Sequence, residues 1–83
     1  MYRLQISLKA AREIKKIKKI HKYATILALQ DIKENPLLGK PLTRNLTEKF
    51  SYRVGVYRIV YKVNEKDRVV DILTAGHRLV IYN

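Results

Sequence analysis

The sequence predicts an α+β domain in the order β-α-α-β-β-β, with a helical hairpin packed on one face of a mostly antiparallel sheet. Three features carry that expectation: a short period-two segment at the start, a long helical pattern ending at Asn35-Pro36, and period-two or continuously apolar segments after Lys49. A chain of 83 residues has room for one core, so a single domain spanning 1–83 is expected. The hydrophobic share of 47% is too high for a disordered tail.

Tyr2, Leu4 and Ile6 alternate with Arg3, Gln5 and Ser7, the pattern of a half-buried strand. Ser7 can then cap a helix, because its hydroxyl can accept from a first-turn amide that has no helical partner. Ala10, Ile14, Ile17 and either Ile20 or His21 follow at three- and four-residue spacing, with lysines on the other face. Tyr23, Ile26, Leu27, Leu29 and Ile32 continue the pattern until Asn35, which the following proline pushes out of the helical region. A turn near 21–23 is expected to divide this stretch into two helices.

Residues 36–47, with two prolines and a glycine, read as an ordered loop. Phe50, Tyr52 and Val54 then share one strand face, Gly55 marks a turn, and Tyr57, Ile59, Tyr61 and Val63 share a face of the next strand. A second turn at 64–67 leads to Val69–Ala75, whose nearly continuous apolar run suggests a central strand.

The formal net charge is +11, from 18 Lys and Arg against 7 Asp and Glu, and it is spread over both halves of the chain. A field of that size on a small body favours anionic partners such as nucleic acid or an acidic protein. If the apolar strand residues face the helices, Lys49, Ser51, Arg53, Arg58 and Lys62 face away, and four cations share one open sheet face. Arg78 after the last strand and Tyr82 near the end of the sequence can fold back over the same face. Arginine forks suit phosphate, so this face is the expected RNA-binding surface, with Arg53 and Lys62 as contacts and His77 beside Arg78 as a further one. A helix-end packing role explains His21.

Other chemistries lack their residues. With Cys 0 there is no disulfide, zinc knuckle or thiol nucleophile, and the scattered acids form no pair at ligand or acid/base spacing. Gly39-Lys40 lacks the rest of a phosphate-binding loop, and no aromatic RNA-recognition motif is present. No metal or cofactor is expected. No apolar run approaches the roughly 18 residues of a membrane span, and MYRLQIS is not followed by an apolar signal core, which fits a cytoplasmic protein.

The stretches NPLLGKPL at 35–42, YRVGVYRIVYKV at 52–63 and AGHR at 75–78, in that order and spacing, resemble the RelE/ParE superfamily of toxins from type II toxin–antitoxin systems. The resemblance covers essentially the whole chain. RelE-like members cut mRNA in the ribosomal A site, whereas ParE-like members poison DNA gyrase. On this chain the RNA-cleaving pattern falls on Lys49, Arg53, Arg58, Arg78 and Tyr82; where it can carry a second basic residue two positions after the first lysine, this chain has Ser51.

The resemblance therefore implies a metal-independent endoribonuclease that works by 2′-hydroxyl attack and is neutralised by a RelB-like antitoxin. Arg58 and Arg78 would meet the scissile phosphate. Lys49, crowded by Arg53 and Arg58, would serve as general base or proton relay, and Tyr82 would stack on a base or orient the nucleophile. The alternatives are a gyrase-directed toxin and a non-catalytic basic nucleic-acid-binding module.

Overall fold

The computed structural model describes residues 2–42 and 49–77. In chain order the elements are β1 (Arg3–Ile6), α1 (Leu8–Lys16), α2 (Lys19–Glu34), a single 3-10 turn (Pro36–Leu38), β2 (Lys40–Pro41), β3 (Lys49–Val54), β4 (Tyr57–Asn64) and β5 (Val69–His77). The five strands lie in the order β1-β5-β4-β3-β2, with β1 parallel to β5 and the other neighbours antiparallel. The expected α+β layout is borne out, with β5 an interior strand between β1 and β4, as its apolar run indicated. The sequence reading lacked β2, which lies inside the segment taken as a loop.

Ser7 joins β1 to α1. Its N–H donates to Ile72 O at 3.0 Å, and its hydroxyl accepts from Ala10 N–H and donates to Leu73 O, both at 2.9 Å. One residue thus caps the helix and ties its start to β5. The register of β5 on β4 jumps from Val60↔Thr74 to Tyr61↔Ile72, leaving Leu73 as the extra residue of a bulge, and its carbonyl is the one Ser7 holds. Where β1 stops, Glu13 of α1 takes over the edge of β5. One of its carboxylate oxygens accepts from Thr74 Oγ1 at 2.6 Å and from Ala75 N–H at 3.0 Å.

The helices part at Ile17 and Lys18, both extended, and not at 21–23. An unbroken helix over 8–34 would be about 40 Å long at 1.5 Å per residue. The whole molecule is only 34 Å in its longest dimension, so the chain must turn back to keep both segments on the sheet. Ile17 is buried at the break. On α2 the buried residues are Thr25, Ala28, Leu29 and Ile32, and Thr25 satisfies its hydroxyl on His21 O at 2.9 Å. Ile20 and Tyr23, which the helical pattern left as core candidates, are 80% and 71% exposed. No helix among the described residues is long and apolar enough to cross a membrane.

The core lies between the helices and one sheet face. Phe50 on β3, Ile59, Tyr61 and Val63 on β4, and Val70, Ile72 and Ala75 on β5 meet Ala10 of α1 and Ala28, Leu29 and Ile32 of α2. The strand phases expected for β3 and β4 are those observed.

Tyr61 anchors the segment that leads into β2. Its ring is fully buried and stacks on Phe50 with centroids 5.5 Å apart. Its hydroxyl donates to Pro36 O at 2.7 Å and accepts from Gly39 N–H at 2.9 Å. Gly39 is required here by close approach, since a Cβ would stand 2.5 Å from the Tyr61 hydroxyl and 3.1 Å from Ser51 O. Asn35 starts the 3-10 turn by accepting from Leu37 N–H at 3.3 Å. The NPLLGKPL stretch is therefore an architectural clamp on the outer part of the sheet.

Burial pushes the Tyr61 phenol above its usual range, and the Gly39 N–H draws it partly back. The fold thus favours the protonated phenol. Its contribution is complete below the unfolded value of about 10 and is lost as pH rises through the higher folded value. Tyr61→Phe keeps the ring but strands Gly39 N–H and Pro36 O, so it should cost about 1–3 kcal/mol at neutral pH. Urea unfolding of both proteins should show that gap narrowing above about pH 10.

Candidate nucleic-acid interface

The hairpin turn between β3 and β4 fixes the register of this surface. Gly55 has φ 60 at the first central position, a conformation glycine adopts freely, and the two-residue connection sets Arg53 directly opposite Arg58. Successive cross-strand pairs then alternate between the two faces. Phe50↔Tyr61, Tyr52↔Ile59 and Val54↔Tyr57 lie on the helix side.

On the other face three rows cross the sheet. The first holds Arg53, Arg58 and Gly76, the second Lys40, Ser51 and Val60, and the third Lys49, Lys62 and Asp71. Arg53 and Lys62 are exposed, while Lys49 and Arg58 are half-buried. Arg53 Nε donates to Gly55 O at 3.3 Å, which holds the side chain along the turn. A cavity of about 420 Å³ is lined by Leu38, Gly39, Lys40, Ser51, Tyr52, Arg53 and Arg58.

Four of the expected residues, Lys49, Arg53, Arg58 and Lys62, do share this face. Three details differ from expectation. Ser51 points to the same face but is buried, together with Val60 opposite it. The direct neighbour of Lys49 is Lys62; Arg53 lies four residues along the strand, about 13 Å away at the usual rise. The crowding of Lys49 is therefore by another lysine.

His77 is the third difference. It pairs with Tyr57, on the helix side, so the twist of one residue along β5 separates it from the arginines. Its ring meets Tyr57 edge-on at 6.0 Å, and His21 meets the other side of that cluster with a Tyr57 centroid distance of 5.4 Å. The near-continuous apolar run of β5 carried no alternation from which this phase could be read. Arg78 and Tyr82 lie outside the described residues.

Lys40 is the residue the sequence reading missed. Its β2 register against Ser51 puts it on the cationic face, yet two residues of strand have no period to recognise.

Two pairs of like charges directly opposite each other are unfavourable in a sheet, each by some tenths of a kcal/mol. Their presence on a face that no helix among the described residues covers suits a surface that meets an anion. Phosphate is the chemistry that matches paired arginine forks and flanking ammonium groups.

The family model describing the ParE toxin of the type II toxin–antitoxin system, parDE, matches residues 4–82. Toxin RelG of Mycobacterium tuberculosis is 35% identical over 83 residues, which is 98% of this chain and 95% of that protein. The toxin–antitoxin complex RelBE2 from Mycobacterium tuberculosis superposes with a TM-score of 0.81 at 34% identity, covering 93% of this chain and 98% of that one. The intact RelBE complex from E. coli has the same fold, with a TM-score of 0.81 at 22% identity and coverage of 93% and 96%. The chain belongs to the RelE/ParE superfamily and is a toxin of a type II toxin–antitoxin system, with its likeness on the RelE side.

Arg53→Gln removes one of two facing guanidiniums. It should stabilise the fold by about 0.2–1 kcal/mol in dilute buffer, and the gain should shrink as salt screens the pair. Denaturation midpoints at low and high ionic strength measure it.

Proposed function

We propose that this toxin is a ribosome-dependent endoribonuclease that cuts mRNA in the A site and is held inactive by a RelB-like antitoxin. The observation that carries this reading is the open sheet face with Arg53 opposite Arg58 and Lys49 opposite Lys62. The likeness to a protein named RelG and to RelBE complexes supports the same branch.

Cleavage by the RNA's own 2′-hydroxyl requires in-line positioning, removal of its proton, charge relief on phosphorus and protonation of the departing 5′-oxygen. The products are a 2′,3′-cyclic phosphate and a 5′-hydroxyl. Arg58, half-buried and aligned by the hairpin, relieves charge on the scissile phosphate together with Arg78, which follows the last β5 residue directly in sequence. Lys49, beside Lys62 on the same row of the face, takes or relays the proton. Tyr82 stacks on a splayed base or orients the nucleophile. Arg53, directly opposite Arg58, binds the same phosphate, Lys62 holds a neighbouring one, and the ribosome presents the strand. His77, on the helix side, has no part in this scheme.

The antitoxin has a surface to cover as well. Ile20, Tyr23 and Leu27 are exposed at i, i+3 and i+7 on α2, beside Lys19 and Lys22. Such a stripe suits an amphipathic acidic segment.

Primer extension on mRNA from an in vitro translation reaction tests the cleavage. The wild-type chain should give cuts within the A-site codon. Arg58→Ala and Arg78→Ala should each lower the rate by about 100-fold or more, the scale of losing one donor aimed at developing charge, with circular dichroism unchanged. Uncut mRNA, with inhibition of gyrase supercoiling instead, would move the chain to the ParE-like activity.

A further inference from the structure

We propose that Lys40 belongs to the RNA-binding surface, forming with Arg53 and Arg58 one subsite for a phosphate of a single strand; this rests on the RNA-cleaving function above. Lys40 stands opposite Ser51 in the β2–β3 register, so both side chains leave the sheet on the cationic face. The same cavity of about 420 Å³ is bordered by Lys40 from β2, Arg53 from β3 and Arg58 from β4. Among the described residues lining it there are three cations and no carboxylate. A volume of that size is within the range of small-ligand sites.

The backbone around Lys40 is held on both sides. Gly39 N–H is bound to the Tyr61 hydroxyl, and Leu42 N–H donates to Lys49 O at 2.9 Å. A cation on a fixed backbone loses less freedom on meeting a phosphate than one on a loose loop, so part of the ordering cost is met by the fold. Ser51 contributes by being small. A long side chain there would fill the room between Lys40 and the arginines, whereas the buried hydroxymethyl leaves it open.

Two arginine forks and an ammonium group approach from three strands, which suits the several oxygens of a phosphate better than a flat carboxylate. Leu38, 48% exposed, adds an apolar shelf at the mouth for the sugar or base next to that phosphate.

The test is fluorescence anisotropy of the full chain with a 2′-O-methyl single-stranded RNA, which binds without being cut, over a range of salt. Lys40→Gln should weaken binding about fivefold near 0.1 M salt and flatten the slope of log K against log salt by about 0.7, the change expected on losing one phosphate contact to a single strand. Lys40→Arg should restore both, which shows that the charge and not the fold was lost. Lys66→Gln, the same change at the exposed β4–β5 turn, should leave the slope unaltered.

The subsite is wrong if Lys40→Gln matches Lys66→Gln while Arg58→Ala still loses binding, and in that case the RNA-binding face stands. It is equally wrong if Lys40→Gln spares RNA binding and weakens only the antitoxin complex. Unchanged binding by Arg58→Ala, or none by the wild-type chain, would overturn the face and the subsite together.

Discussion

The phenol of Tyr61 holds the outer part of this molecule in place. It is buried in the core, yet its hydroxyl reaches through the sheet's edge to Pro36 O and Gly39 N–H, 25 and 22 residues away in sequence. Those two bonds lay the segment after α2 against β3, and β2 exists because that segment is held there. A buried phenol without partners would be costly, and so would an unpaired Gly39 amide; each group removes the other's penalty. The absence of a side chain at Gly39 allows the approach. Through this contact the helix-side core determines where Lys40 stands on the opposite face.

That opposite face runs against what stability alone would select. Arg53 faces Arg58, and Lys49 faces Lys62, whose other cross-strand neighbour is Asp71, at the spacing where sheets prefer complementary partners. The strain is tolerated because the helix-side packing of Phe50, Ile59, Tyr61, Val63 and Ile72 fixes the strands independently of the charges. A field assembled in advance is what charge relief at a phosphate needs. Substitutions that relax the face should therefore gain stability and lose function, the usual trade at a site built for an anion.

Much of this was legible in the sequence, for particular reasons. Phe50-Tyr52-Val54 and Tyr57-Ile59-Tyr61-Val63 alternate cleanly, so their faces, and with them the cationic face, follow from period alone. The Ser7 cap was equally local. What escaped was non-local. The parallel pairing of β1 with β5 joins residues 66 apart, as Arg3↔Val69 shows, and nothing in either segment names its partner. The helix break at Ile17 has no glycine or proline to mark it; the extent of the sheet imposes it. The face on which His77 lies was not legible, because the apolar run of β5, with a bulge at Leu73, has no readable phase. Lys40 was hidden by the shortness of β2, and Glu13 by its distance in sequence from the β5 edge that it caps.

On the proposed function, this face directs RNA's own 2′-hydroxyl onto the adjacent phosphate. The chemical nature of the new ends tests it most directly. mRNA cut on programmed ribosomes by the wild-type chain should be analysed by mass spectrometry of the upstream fragment's 3′ end. A 2′,3′-cyclic phosphate, with a 5′-hydroxyl on the downstream fragment, is the expected result. A 3′-hydroxyl paired with a 5′-phosphate would mean that water or another nucleophile attacked from outside the strand, and would contradict the account.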